Sequence, residues 1–173
     1  MRPSKAQWAM DVALVTAKRS TCLRRQVGCV LLNDLGHILA TGYNGVASGM
    51  EHCNEPLKDG LLSRYEKSVG RLYPFACEGS TSESGTNLDK CNAVHAEQNA
   101  LLQCPDVMKI KTALVTTSPC ITCVKLLMNT SCTYIVYNEE YPHKEAKHLW
   151  LSNPDRQWIL INPSITTTHS RSP

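Results

Sequence analysis

Apolar residues in the first part of the chain are spaced as in an amphipathic helix. Within residues 4–19, four side chains fall on one stripe, and three alanines lie close by; the stripe is Trp8, Val12, Val15 and Arg19, and the alanines are Ala9, Ala13 and Ala17. Intervals of three and four residues are typical of a helix that packs on a neighbouring element through that stripe. Ser4 is placed to cap the first turn of this helix.

The next segment changes to an extended pattern. Residues 26–32 are almost continuously apolar, residues 33–36 form an Asn-Asp-Leu-Gly turn, and residues 37–42 are again apolar in part. Two such runs around a short turn predict a β-hairpin whose first strand is buried.

Helical and extended patterns alternate in the second half of the chain. A stripe at helical spacing predicts a helix over residues 94–102, which stops before Pro105; its members are Val94, His95, Gln98, Leu101 and Leu102. A strand over residues 112–117, a helix over 120–130 and a strand over 133–137 then form a β-α-β unit. The two strands of such a unit are expected to be parallel.

A helix over residues 143–151 and an edge strand over 157–161 complete the predicted fold. We therefore expect an α/β protein with three layers, α/β/α, and a mixed five-stranded sheet. The hairpin supplies its antiparallel strands, and the later units supply its parallel ones.

Periodicity is weak between residues 43 and 90. Residues 61–75 could be helical, and residues 79–90 are rich in Ser, Thr and Gly. Connections of this length are usually functional or disordered. We predict a single domain over residues 1–162 that contains a long insertion at 43–90, followed by a polar tail at 163–173.

Composition narrows the classes of function. The 173 residues include 18 Lys and Arg against 15 Asp and Glu, so the net charge of +3 is too small to indicate a dedicated nucleic-acid surface. No apolar run is long enough for a membrane span or an export signal, which predicts a cytoplasmic protein with no membrane partner. Nine cysteines are then expected to be reduced and to serve metal binding or burial.

Four residues with metal and acid–base chemistry lie close to predicted helix starts. His95, Cys120 and Cys123 can supply three zinc ligands, which leaves the fourth position of a catalytic zinc site to water. Glu97 is then placed to move protons. The alternatives are a structural zinc site and buried cysteines that happen to be three residues apart.

The H-x-E…P-C-x-x-C arrangement of these residues is the known signature of zinc-dependent nucleobase deaminases. Beyond it, the chain closely resembles the deoxycytidylate (dCMP) deaminases, a family with a cytidine deaminase-like fold. The matching motifs are residues 20–28 (STCLRRQVG), 42–45 (GYNG), 52–53 (HC), 95–101 (HAEQNAL) and 118–123 (SPCITC).

The resemblance implies hydrolysis of dCMP to dUMP and ammonia, which supplies thymidylate synthesis. It also implies a homo-oligomer, often a hexamer, that is activated by dCTP and inhibited by dTTP, with Mg²⁺ bound at the effector nucleotide. No nucleic-acid partner is implied.

Further site residues follow from the same resemblance. Asn44 is expected to contact the substrate sugar, the alternative being an Asn-Gly turn. Arg24 and Arg25 are expected to bind the substrate phosphate, the alternative being ordinary surface arginines.

An effector nucleotide is expected at a glycine-rich loop that contains Tyr43, Gly45 and Gly49. The family often has proline where Ala47 stands and a further cysteine after His52-Cys53. This departure leaves the effector response an open question at the level of the sequence.

A second, structural zinc ion is implied at three cysteines, Cys22, Cys53 and Cys91, with His52 or Cys77 as a further ligand. Such a site would hold the insertion in place, where apolar residues are few. Buried free thiols are the competing interpretation.

Three other functions share parts of this pattern. A cytidine nucleoside deaminase would share the zinc site but would need no phosphate pocket. A tRNA adenosine deaminase should carry a more basic surface. A non-catalytic zinc-stabilised binding module would not need Glu97.

Overall fold

A computed structural model describes residues 2–55, 77–83, 85–142 and 144–161 of the chain. The helices are α1 (Lys5–Ala17), α2 (Ala96–Gln103), α3 (Ile121–Met128) and α4 (Lys144–Leu151). The strands are β1 (Gly28–Leu32), β2 (Ile38–Tyr43), β3 (Gly45–Val46), β4 (Ala93–Val94), β5 (Thr112–Thr117), β6 (Tyr134–Glu139) and β7 (Gln157–Leu160). Short 3-10 turns lie at Glu78–Thr81, Leu88–Lys90 and Val107–Lys109.

Five strands form one mixed sheet in the order β2-β1-β5-β6-β7. The hairpin β1–β2 is antiparallel, and β1 also pairs antiparallel with β5. β5, β6 and β7 are parallel to one another, with β7 at the edge. The predicted mixed sheet is therefore confirmed, and each predicted element that falls on described residues begins and ends within two residues of its expected bounds.

Alternate residues of β1 face two separate hydrophobic clusters. Val30 and Leu32 pack with α1 on one face of the sheet. Cys29 and Leu31 pack on the other face with residues of α2, α3 and α4, among them the fully buried Trp150. Because side chains of a strand alternate between faces, helices cover both sides of the sheet, and the three-layer α/β/α fold is confirmed.

The predicted stripe of α1 is wrong at Trp8, Val15 and Arg19, which are exposed, whereas Val12 does pack against the core. The predicted cap is confirmed by a hydrogen bond from the Gln7 amide to the Ser4 hydroxyl. Val15 is 65% exposed and Trp8 42% exposed, whereas Ala9, Met10, Ala13 and Ala17 are the residues that pack. A Cβ atom on Gly28 would lie 2.0 Å from the Ala13 carbonyl oxygen. The helix lies so close to β1 at Gly28 that the residues facing this glycine, Ala13 and Ala17, have small side chains.

The predicted stripe of α2 is also wrong in part. Val94 belongs to β4, which pairs with β3, and Leu102 is 81% exposed. Ala96 and Ala100 pack instead, because a Cβ atom on Gly42 would lie 2.3 Å from the Ala96 carbonyl oxygen. The start of α2 is thereby held directly against β2.

Two predictions lie outside the described residues, namely a helix over residues 61–75 and a loose tail after residue 162. The extent of the domain over residues 1–162 stays a prediction. Among the described residues, no helix has both the length and the apolar character needed to cross a membrane.

Candidate active site

A cavity opens at the end of the sheet where strands β5 and β6 finish and strand β1 begins. Its empty space is about 650 Å³ when the solvent at its open side is included. The residues that line it are Cys22, Arg24, Arg25, Val27, Asn44, Gly85, Cys91, Ala93, His95, Ala96, Glu97, Thr117, Ser118, Cys120 and Tyr141. The carboxyl ends of parallel strands are where open α/β sheets place their ligands.

Three candidate metal ligands meet beside this cavity. His95 directly precedes α2, Cys120 directly precedes α3, and Cys123 follows in the first turn of α3. The His95 Nδ1 atom lies 3.4 Å from the sulfur atoms of both cysteines. An imidazole nitrogen and a thiolate bound to one tetrahedral zinc ion lie about 3.6 Å apart, so the arrangement fits zinc.

The two thiols of this group differ strongly in acidity. The Cys123 thiol donates a hydrogen bond to Cys120 and lowers the pKa of Cys120 to about 3, while the same contact raises the pKa of Cys123. The hydrogen bond with Cys120 also raises the pKa of His95. The contact with Cys123 therefore favours the thiolate form of Cys120, which is the form that binds metal.

The carboxyl group of Glu97 lies next to these ligands. The residue is 4% exposed, and its side chain is within hydrogen-bond reach of Cys123. Burial raises the pKa of Glu97 from 4.5 to about 7, against the opposing effects of its own backbone amide and of His95. A carboxyl group with this pKa can both accept and release a proton at neutral pH.

Asn44 lines the cavity and also forms hydrogen bonds to the loop that precedes β1. Its Oδ1 atom accepts a hydrogen bond from the Val27 amide, and its Nδ2 atom donates to the Arg25 carbonyl, both at 2.8 Å. An amide side chain has two donor hydrogens and two acceptor lone pairs, so one of each is left for a ligand. Asn44 joins β2 to β3 and does not sit in the turn of the β1–β2 hairpin.

Arg24 and Arg25 both line the cavity and have different neighbours. The Arg24 Nη2 atom donates hydrogen bonds to the carbonyl oxygens of Glu83 and Thr86, the second at 2.8 Å. The Nη1 atom of Arg24 is buried and finds no partner among the described residues. Arg25 places its guanidinium carbon 5.6 Å from the centre of the Tyr141 ring.

The cysteines expected to form a second group do lie near one another, with Cys77 among them. Cys53 and Cys77 are hydrogen-bonded, and the charges of Cys22 and Cys91 act on Cys53. Burial is the main cause that raises the pKa of Cys53, to about 12, and it also raises the pKa of Cys91. This group is looser than the first, since within the described ranges His95, Cys120 and Cys123 form the group whose ligand atoms all lie within 4.8 Å of one another.

The residues expected to bind an effector are separate from this cavity. Tyr43 stacks under Arg19 at 5.9 Å and accepts a hydrogen bond from Asn99 through its carbonyl oxygen. Gly45 belongs to β3, and Gly49 has a φ of +85° with open space around the position of a Cβ atom.

Seven residues of the cavity wall were not among the predicted site residues, namely Val27, Gly85, Ala93, Ala96, Thr117, Ser118 and Tyr141. Tyr141 follows the end of β6, the central parallel strand, and an aromatic residue at that position was the signal for a ligand contact. Gly85 carried no comparable signal, because it lies in a polar segment where glycine is common.

The chain is similar to known proteins both in sequence and in structure. The family described as "Cytidine and deoxycytidylate deaminase zinc-binding region" matches residues 3–139. A deoxycytidylate deaminase of Mycobacterium phage D29 is 32% identical over 140 residues, which are 80% of this chain and 98% of the phage protein. A deoxycytidylate deaminase of Schizosaccharomyces pombe is 36% identical over 142 residues, 81% of this chain.

Among solved structures, the dCMP deaminase of cyanophage S-TIM5 in complex with dCMP and dUMP superposes with a TM-score of 0.64. The two are 25% identical, and the match covers 93% of this chain and 99% of the other. The matched region is only 38% of the length of the Schizosaccharomyces pombe relative and 43% of that from Saccharomyces cerevisiae.

Proposed function

Because the chain belongs to the cytidine and deoxycytidylate deaminase family, we propose that it is an enzyme that hydrolyses dCMP to dUMP and ammonia. The observation that carries the proposal is the position of buried Glu97 beside His95, Cys120 and Cys123, in a cavity that two arginines also line. The dCMP deaminases named above are consistent with this substrate.

His95, Cys120 and Cys123 would hold the catalytic zinc ion, whose donor set matches the one zinc prefers. When bound, the ion lowers the pKa of water from about 15.7 to about 7 and so makes a nucleophile available at neutral pH. Glu97 accepts a proton from the attacking water and donates it to N3 of the cytosine ring. It then carries a proton to the departing amino group, which leaves as ammonia while C4 becomes a carbonyl carbon.

Arg24 and Arg25 would bind the 5′-phosphate of the substrate. The Arg24 Nη1 atom is a buried donor without a partner among the described residues, and leaving such a donor unpaired is costly. A phosphate oxygen in the cavity would satisfy it with a charge-assisted hydrogen bond. Asn44 would use its remaining amide hydrogen and lone pair for the sugar.

The proposal includes a structural zinc ion at Cys22, Cys53, Cys77 and Cys91. The hydrogen bond between Cys53 and Cys77 and the electrostatic effects of Cys22 and Cys91 on Cys53 support it. Thiolate ligands in such a site would fix the insertion to the loop that carries Arg24.

From the family resemblance we further propose regulation by dCTP and dTTP with Mg²⁺, assembly into a hexamer, a role in thymidylate supply and a cytoplasmic location. Tyr43, Gly45 and Gly49 are the residues at which we would expect an effector nucleotide. The open space around Gly49 is compatible with a bound ligand.

Ammonia release from dCMP, deoxycytidine, cytidine and adenosine, each with and without dCTP or dTTP plus Mg²⁺, tests the substrate class. We expect turnover of dCMP with a much higher kcat/KM than that of deoxycytidine. Equal kcat/KM values for these two substrates would show that the cavity does not recognise the phosphate, and turnover of adenosine would indicate a different deaminase.

A further inference from the structure

Tyr141 is fixed to the loop that carries the candidate metal ligands. Its backbone amide donates a hydrogen bond of 2.7 Å to the hydroxyl of Ser118, which is buried and lies two residues before Cys120. The ring of Tyr141 lines the same cavity as Glu97. Its position therefore depends on the same backbone as the metal site.

The ring of Tyr141 is also the surface on which Arg25 rests. The guanidinium carbon of Arg25 lies 5.6 Å from the ring centre, a distance at which the cation is attracted by the π face. The backbone of Arg25 is held separately, because its carbonyl oxygen accepts the hydrogen bond from Asn44. Both the backbone and the guanidinium group of Arg25 are therefore held in place.

The Tyr141 hydroxyl lies against the segment around Gly85, which forms another part of the cavity wall. A Cβ atom on Gly85 would lie 3.1 Å from the Tyr141 hydroxyl oxygen, and Gly85 has a φ of +89°. Arg24 holds this segment through the carbonyl oxygens of Glu83 and Thr86. The ring therefore lies between Arg25 and the segment that Arg24 fixes.

We propose that Tyr141 is a positioning residue for phosphate recognition, because its ring holds the Arg25 guanidinium in the orientation that binds the substrate phosphate. This inference rests on the proposed function and extends it to a residue that does not itself contact the phosphate. A flexible arginine side chain loses conformational freedom when it binds an anion, and stacking removes part of that cost in advance.

The test compares steady-state kinetics on dCMP and deoxycytidine for the zinc-containing wild-type protein, Tyr141→Leu and Tyr141→Phe. Loss of the π face should raise KM for dCMP by about three- to thirtyfold, with little change in kcat and none in kcat/KM for deoxycytidine. Tyr141→Phe keeps the π face and should keep the wild-type KM. If Tyr141→Leu fails to fold, Tyr141→Met replaces it, since Met also fills space without a π face.

Tyr134→Leu is a matched control. The Tyr134 ring also has a cation over it, the Lys111 Nζ atom at 5.2 Å, but it lies at the start of β6, at the opposite end of that strand from Tyr141. Its replacement should leave the ratio of the two kcat/KM values unchanged.

In an Arg25→Ala background, Tyr141→Leu should add nothing further to the KM for dCMP. Equal losses on both substrates, an unchanged KM for dCMP, or additive effects of the two substitutions would each overturn the positioning role. A wild-type protein that does not prefer dCMP over deoxycytidine would instead refute the phosphate recognition in the proposed function, and the inference would fall with it.

Discussion

Burial of the Glu97 carboxyl group determines how readily it takes up a proton. The loss of solvent raises its pKa from 4.5 to about 7, and the His95 charge opposes this shift. A general base is most effective when its pKa lies near the working pH. The same burial that excludes water from the site thus prepares Glu97 for proton transfer in both directions.

This shift predicts a pH-dependent stability for the metal-free protein. The pKa of folded Glu97 is raised, so the folded state holds its proton more tightly than the unfolded state. The resulting stabilisation is fully present below about pH 4.5 and is lost as the pH rises through about 7, with a total on the order of 3 kcal/mol. Glu97→Gln, which cannot ionise, should lack this dependence.

Urea unfolding of the metal-free wild-type protein and Glu97→Gln at pH 5 and pH 8 measures the effect. The free energy of unfolding of Glu97→Gln should increase relative to wild type between these two pH values. A difference between the two proteins that is the same at both pH values would contradict the raised pKa.

At the scale of elements, two glycines set the distance between helices and the sheet. Gly28 allows α1 to approach β1, and Gly42 allows α2 to approach β2. The second contact matters for function, because α2 carries Glu97 in its first turn and begins directly after His95. The depth at which α2 sits therefore decides where the acid–base group meets the metal ligands.

Gly42→Ala should accordingly disturb both stability and metal binding. The added Cβ atom would lie 2.3 Å from the Ala96 carbonyl oxygen and 2.4 Å from the Ala100 amide nitrogen, both backbone atoms that cannot rotate away. We expect a loss of about 2–4 kcal/mol in the free energy of unfolding, with weaker zinc retention. Urea unfolding and zinc content measured on the same samples check this.

Gly45→Ala serves as the control for that substitution. A Cβ atom at Gly45 would meet the Tyr43 ring at 3.7 Å, an ordinary van der Waals contact, so little change in stability is expected. If Gly42→Ala were as stable as Gly45→Ala, the close approach of α2 would not be what fixes the site.

The close helix–sheet contacts at Gly28 and Gly42 explain which features could be predicted from the sequence and which could not. Strands β5 and β6 and the helix between them followed from apolar patterning, and His95, Glu97, Cys120 and Cys123 followed from a motif with a known chemistry. The packing faces of α1 and α2 followed only in part, because hydrophobicity favoured the larger side chains over alanine. Close packing on Gly28 and Gly42 instead required alanine, and that requirement depends on a partner distant in the chain.

The wall of the cavity was harder to predict for a similar reason. Tyr141 and Gly85 are far apart in sequence and meet only through the fold. The separate environments of Arg24 and Arg25 likewise depend on residues 83–86 and on Tyr141, which no local pattern connects to them.

At the scale of the molecule, the proposed second metal site would join two distant parts of the chain. Cys22 precedes Arg24 by two residues, while Cys77 and Cys91 bound the segment that Arg24 holds. Both Cys22 and Cys91 also line the cavity. Metal at this site would therefore fix one wall of the cavity without taking part in the reaction.

We expect the purified protein to contain two zinc ions per chain and Cys53→Ser to contain one, because Cys53 is fully buried among the other three thiols. The thermal midpoint of Cys53→Ser should also fall, since the binding free energy of a structural metal stabilises the fold. Atomic emission and thermal unfolding provide the two measurements.

Cys104→Ser is the matched control for the zinc content. The Cys104 sulfur contacts the Asp106 carbonyl oxygen and belongs to neither cysteine group, so this variant should keep the wild-type content. Wild-type zinc content in Cys53→Ser would refute the second site.

The proposed deamination of dCMP depends on a zinc ion at His95, Cys120 and Cys123 together with the proton transfers of Glu97. The most direct measurement is ammonia release from dCMP by Glu97→Gln, with zinc content determined on the same sample. We predict that Glu97→Gln keeps its zinc and its fold while kcat falls by about 10²- to 10⁴-fold. Ammonia release at the wild-type rate from a zinc-containing Glu97→Gln protein would contradict the account.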